Sequence, residues 1–118
     1  MDILLIEDND ATRRLLEDVL NCKNYTLLST NNAEEGIDIA IKERPKIILM
    51  DIQLPGMNGL QANTELRKNE HLKNTKIIGM SAHALPNEID QFQKARFDCF
   101  LTKPFSYQKL LAAIEDFL

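Results

Sequence analysis

The chain has 118 residues, enough for one ordinary domain, expected to span 1–118, and its 44% apolar and 27% charged content is that of a water-soluble globular fold. No apolar run approaches the roughly 20 residues of a membrane span, and a net charge of −4 weighs against non-specific nucleic-acid binding. The opening MDILLIEDND has neither the basic segment nor the long apolar segment of a signal peptide, so a cytoplasmic location is expected. Cys22 and Cys99 share no CxxC spacing and no neighbouring His cluster, and are expected to be reduced, packed thiols.

Short apolar runs alternate with amphipathic stretches. DILLI (2–6) is the first expected strand, and Asp10 is a candidate cap for a helix over 11–22 with Leu16, Val19 and Leu20 on one face. YTLLS (25–29) follows as a strand. A helix over 33–43 is then expected, capped by Asn32 with Glu35 as capping-box partner, striped by Ile37, Ala40 and Ile41 and ended before Pro45. KIILM (46–50) is a third strand, and the pattern over about 58–68 is a weaker helix because Asn63 falls where its stripe wants an apolar residue. His71 falls in the loop before KIIGM (76–80), the fourth strand. A helix over about 85–95 carries Leu85, Ile89 and Phe92. DCFLT (98–102) is the fifth strand, and 106–118 is a helix with Tyr107, Leu110, Leu111, Ile114, Phe117 and Leu118 as its stripe. Most of these strand runs are continuous rather than alternating, the pattern of strands covered on both faces. Strand–helix alternation repeated five times predicts a parallel sheet with helices on both sides.

In open α/β sheets ligands bind beyond the carboxyl ends of the strands. Strand one ends in Glu7 and Asp8, strand three in Asp51, strand four in Ser81, and strand five in Thr102 and Lys103 followed by Pro104; strand two offers only Ser29 and Thr30. Taken singly, such an acid is a turn former or helix cap, such a lysine a surface residue, and such a serine a strand-end hydroxyl. Together they point to one chemistry. If strands one and three are neighbours, with four and five following, these groups converge on one rim. Clustered carboxylates stay ionised at neutral pH only beside a cation. Lys103 supplies one positive charge, and a divalent metal with hard oxygen ligands and open positions, Mg²⁺, suits the remainder.

Over essentially its whole length the chain resembles the receiver domain of two-component response regulators. LLIEDND carries the acidic pair, IILMDIQLPGMNGL surrounds the acceptor aspartate, IIGMSAHA carries the hydroxyl, and FLTKPF the lysine and its proline. The resemblance implies a flavodoxin-like (βα)5 doubly wound fold, a five-stranded parallel sheet of order 2-1-3-4-5. It also implies roles. Asp51 would accept a phosphoryl group from a phosphohistidine on a sensor histidine kinase or histidine phosphotransferase. Asp8 would bind Mg²⁺ directly, with Glu7 beside it acting through metal-bound water and the backbone carbonyl of Gln53 completing the site. Ser81 would be the switch hydroxyl and Lys103 the phosphoryl contact. Pro104 is a cis-proline candidate and Phe100 stands at the switch aromatic, where many receivers carry Tyr. Gln53 and His83 would tune phosphate lifetime.

The implied switch is the face of about residues 83–118, read by a downstream protein target, with no direct nucleic-acid or membrane contact, in a monomer or a phosphorylation-dependent dimer. The chain is expected to work alone or as one piece of a longer regulator or hybrid kinase, and to be a signalling module rather than an enzyme, catalysing only its own phosphorylation and slow dephosphorylation. Two other chemistries fit less well. An aspartate-based Mg²⁺ phosphatase wants a second acid where Gln53 stands, and a nucleotide or flavin site wants a Gly-rich loop where EDND stands. A receiver that signals without phosphate would not need the set Glu7, Asp8, Asp51, Ser81 and Lys103.

Overall fold

β1 (Ile3–Ile6) and β3 (Ile47–Asp51) are buried along their whole length, as uninterrupted apolar runs require when both faces of a sheet are covered. The computed structural model describes residues 1–81 and 97–118, so the expected helix over 85–95 and His83 lie outside the described residues. The remaining elements are α1 (Asp10–Asn21), β2 (Leu27–Thr30), α2 (Ala33–Glu43), α3 (Gly59–Arg67), a 3-10 turn (Glu70–Leu72), β4 (Lys76–Ser81), β5 (Cys99–Thr102) and α4 (Tyr107–Phe117). All strand pairings are parallel and the order is β2-β1-β3-β4-β5, the expected doubly wound sheet.

Strand alternation divides the core in two. Ile3, Leu5, Ile47, Leu49, Ile78 and Met80 pack with Leu16 and Leu20 of α1 and Leu110 and Ile114 of α4. Leu4, Ile6, Ile48, Met50 and Ile77 face the other way, onto Ala33 and Ala40 of α2 and Ala62 and Leu66 of α3. Successive residues of each strand point to opposite faces, so one run of apolar residues serves both layers.

Several local expectations need correction. Asn9, not Asp10, caps α1: its side chain accepts from Thr12 N, and Asp10 is the first helical residue. The buried line of α2 is Ala33, Gly36 and Ala40, whereas Ile41 is 40% exposed. A Cβ at Gly36 would collide with the Ile6 side chain, so the small residues let α2 lie close on β1 and rotate Ile41 outward. β2 is a sheet edge, with Leu28 37% exposed, rather than a strand covered on both faces. Cys22 lies exposed at the end of α1 instead of packed, while Cys99 is half-buried; both thiols are free. Of the stripe expected over 106–118, Tyr107 and Leu118 are exposed, whereas Leu110 and Ile114 of α4 are fully buried. His71 sits exposed in the 3-10 turn.

Candidate phosphoacceptor site

The sheet order reverses between β1 and β3, the switch point where a doubly wound sheet opens a crevice. The register pairs Ile6 with Met50, so the next residues, Glu7 just past β1 and Asp51 at the end of β3, stand side by side. On the other flank Ser81 pairs with Thr102, and Lys103 follows; its N–H donates to the Ser81 carbonyl at 2.7 Å.

Glu7, Asp8 and Asp51 each offer a carboxylate oxygen, and the three atoms lie within 4.8 Å of one another. Glu7 is fully buried and Asp51 is 5% exposed, while Asp8 is open to solvent. Lys103 Nζ reaches into the group, 2.6 Å from Glu7 Oε1 and 3.4 Å from Asp51 Oδ2. The Asp51 Oδ1 atom accepts from the Gln53 N–H at 3.0 Å, and Glu7 Oε2 from the Asn9 N–H at 3.3 Å. The Gln53 side chain is exposed. Ser81 is buried at the end of β4, Phe100 is half-buried on β5 opposite Gly79, and the Lys103–Pro104 peptide is cis.

The electrostatics follow from burial. Desolvation pushes the Glu7 carboxyl above its ordinary value, the neighbouring Asp51 pushes the same way, and Lys103 only partly offsets them. Burial also works against the Lys103 charge, but its hydrogen bond to Glu7 and the pull of both carboxylates outweigh it, leaving the ammonium more basic than usual. Three acids therefore face one ammonium. The shortfall is one of positive charge, and the donors are all hard oxygens, so the residues present fit Mg²⁺.

The expected convergence of Glu7, Asp8, Asp51 and Lys103 is what the structure has, with Ser81 adjoining through the backbone of Lys103; His83 lies outside the described residues. Arg13 escaped the sequence reading. Its guanidinium donates to the Glu7 carbonyl at 2.9 Å and to Asp10 at 2.6 Å, and approaches Glu17 at 3.7 Å. The signal was there in part: Asp10 and Glu17 stand three before and four after it, the spacing of neighbours on one helix face.

The sequence model described as the response regulator receiver domain matches residues 3–115. The chain belongs to the response regulator receiver domain family. It is 28% identical to the polar-differentiation response regulator DivK of Brucella anthropi, over 98% of this chain and 94% of that one. The receiver domain of the sensor histidine kinase PA1611 from Pseudomonas aeruginosa superposes with a TM-score of 0.92 at 28% identity, covering 98% of this chain and 95% of that one, and that structure has magnesium coordinated in its active-site cleft. The fold is shared as well with the chemotaxis protein CheY4 of Vibrio cholerae, at a TM-score of 0.93 and 22% identity over 99% and 98% of the two chains. The receiver thus serves two-component signal transduction, as a signalling module rather than a metabolic enzyme. No helix among its described residues is long and apolar enough to cross a membrane.

Proposed function

We propose that this receiver takes a phosphoryl group on Asp51 from a phosphohistidine, with Mg²⁺ held by Glu7, Asp8, Asp51 and the Gln53 main-chain carbonyl. The observation that carries the reading is the placement of Lys103 Nζ over the acidic triad, in contact with both Glu7 and Asp51. Mg²⁺, when bound, supplies charge neutralisation for the acids and for the phosphoryl oxygens.

The chain's own groups do the remaining work. An Asp51 carboxylate oxygen forms the new bond to phosphorus as the phosphorus–nitrogen bond of the donor breaks, its electron pair returning to the imidazole. Lys103 donates to one phosphoryl oxygen and the Ser81 hydroxyl to another, acting where charge is spread in a loose transition state. The product adds about 1.5 to 2 negative charges to the rim. Ser81 and Lys103 are drawn toward that charge and bias the face of about residues 83–118 toward its active arrangement. Phe100 couples by packing, since it has no hydroxyl to offer, and Gln53 and His83 border the phosphate and set its lifetime. The same reading makes residues 1–118 one cytoplasmic receiver, monomeric or dimerising on phosphorylation, which promotes only its own phosphorylation and slow hydrolysis. Its donor is a sensor histidine kinase or histidine phosphotransferase, and its output is a protein target.

An apolar groove of Leu15, Leu16, Phe105 and Tyr107 runs up to Lys103, with Leu15 54% and Tyr107 45% exposed. A donor protein seated there brings its phosphohistidine to the rim. Incubation with Mg²⁺ and acetyl phosphate is expected to add the mass of one phosphoryl group, stable in acid and labile in base, absent from Asp51→Asn and absent with a chelator. Leu15→Asp is expected to keep acetyl phosphate labelling and to slow transfer from a phosphorylated histidine phosphotransferase by about tenfold, the worth of one buried apolar anchor. Labelling that survives in Asp51→Asn, or repeated turnover of phosphomonoesters, would contradict the reading.

A further inference from the structure

Arg13 is 18% exposed at its side chain and bonds to three different parts of the chain, although the phosphoryl chemistry described above makes no use of it. Its contacts to Asp10 and Glu17 are neighbours on the helix face. Its contact to the Glu7 carbonyl is different, because it reaches back over the Asn9 cap to the last residue before the loop. No backbone N–H among the described residues takes that carbonyl. The carbonyl belongs to the peptide unit that joins Glu7 to Asp8, and a peptide unit is planar. Fixing its oxygen therefore fixes the plane from which the Asp8 side chain springs.

Asp8 needs such help. It is exposed, and no hydrogen bond among the described residues involves its carboxylate. Its neighbours are held tightly: Glu7 N donates to the Thr30 carbonyl at 3.0 Å, and Asn9 N to Glu7 Oε2 at 3.3 Å. The guanidinium completes this frame. Glu17, which takes one edge of it, is held in turn by the Ser29 hydroxyl at 3.1 Å, so the frame is tied to β2.

We propose that Arg13 is a positioning residue that pre-sets the Glu7–Asp8 peptide so that the Asp8 carboxylate points into the metal site. The proposal rests on the reading of the acidic triad as a Mg²⁺ site. It separates from simple electrostatics by sign. Arg13 is a cation beside an acidic cluster, so by charge alone its removal would tighten Mg²⁺ binding. By positioning, its removal weakens binding, as loss of groups that orient metal ligands commonly does, by about 10-fold to 100-fold.

The test is calorimetric titration of Mg²⁺ into wild type, Arg13→Ala and Arg13→Lys, well below each variant's melting temperature. Arg13→Ala is expected to raise the Mg²⁺ dissociation constant about tenfold or more. Acetyl phosphate labelling should need correspondingly more Mg²⁺ yet approach the wild-type maximum at saturation. Arg13→Lys keeps the charge and the stem but not the planar fork that spans Glu7 and Asp10, and should fall on the same side as Ala. It also serves if the alanine variant does not fold. Unchanged or tighter Mg²⁺ binding in the folded variants would overturn the proposal. Failure of the wild type itself to bind Mg²⁺ would overturn the metal-site reading, and the Arg13 proposal with it.

Discussion

Glu7 and Asn63 are both fully buried polar residues, and they have opposite fates. Glu7 has Lys103, yet burial and Asp51 still hold its carboxyl above the ordinary range. A raised folded-state pKa contributes stability that is fully present below the unfolded glutamate value of about 4.3 and is lost as pH rises through the folded value. Lys103 is also raised, so its contribution persists up to the ordinary lysine range and does not cancel this slope. Asp2, lowered mainly by its backbone hydrogen bond to Thr26, loses its contribution only as pH falls below the ordinary aspartate range. The protein in a chelator should therefore lose stability through Glu7 as pH rises above about 4.3. Glu7→Gln should flatten that slope and raise the pH 8 midpoint by a few degrees, about the effect of 1 kcal/mol. A slope equal to wild type would contradict this assignment. Among the described residues, neither the amide nitrogen nor the oxygen of Asn63 has a hydrogen-bond partner. Its replacement by Leu, similar in size, should stabilise by about 1–3 kcal/mol in urea unfolding, because an unmet buried amide is removed; a loss of stability would show that the site prefers a polar group. The sequence marked Asn63 as out of place on its helix, but the absence of a partner is a tertiary fact that no local pattern contains.

At the scale of elements, α3 is built directly onto the acceptor loop. Asn58 and Gln61 close a reciprocal capping box at 3.1 and 2.9 Å, at the spacing of three that the motif requires. Gly59 N donates to the Ile52 carbonyl at 2.9 Å, and a Cβ on Gly59 would lie 2.7 Å from Ile52 Cα and 2.9 Å from the Asp51 carbonyl. Both neighbours are backbone and cannot swing away. Gly59→Ala should cost about 1–3 kcal/mol by overpacking and slow Asp51 labelling, because relief must come from the acceptor loop itself. Wild-type stability and labelling rate in that variant would contradict this account. Strands were readable to within a residue or two because continuous apolar runs are a strong signal. Helix faces were less so: Ile41 fits the period of α2, but the close approach allowed by Gly36 decides which side turns inward.

Over the whole molecule, the gathering of the candidate residues on one rim was legible in the apolar pattern, whereas the strand order came from the family resemblance. The chemistry-bearing residues sit one step past apolar runs, and a parallel sheet necessarily gathers such steps at one edge. What stayed hidden was the pairing within the site. That Lys103 lies closer to Glu7 than to Asp51, and that Arg13 grips the loop between the acids, depends on side chains from elements 96 and 6 residues apart in sequence. The account predicts where the phosphate goes, and hydride trapping reads that directly. After treatment with Mg²⁺ and acetyl phosphate, borohydride reduces an aspartyl phosphate to homoserine, and peptide mass spectrometry locates the change. Homoserine at position 51 alone is the expected result; homoserine at position 7, 8 or 10, or none in protein that has taken up phosphate, would contradict it.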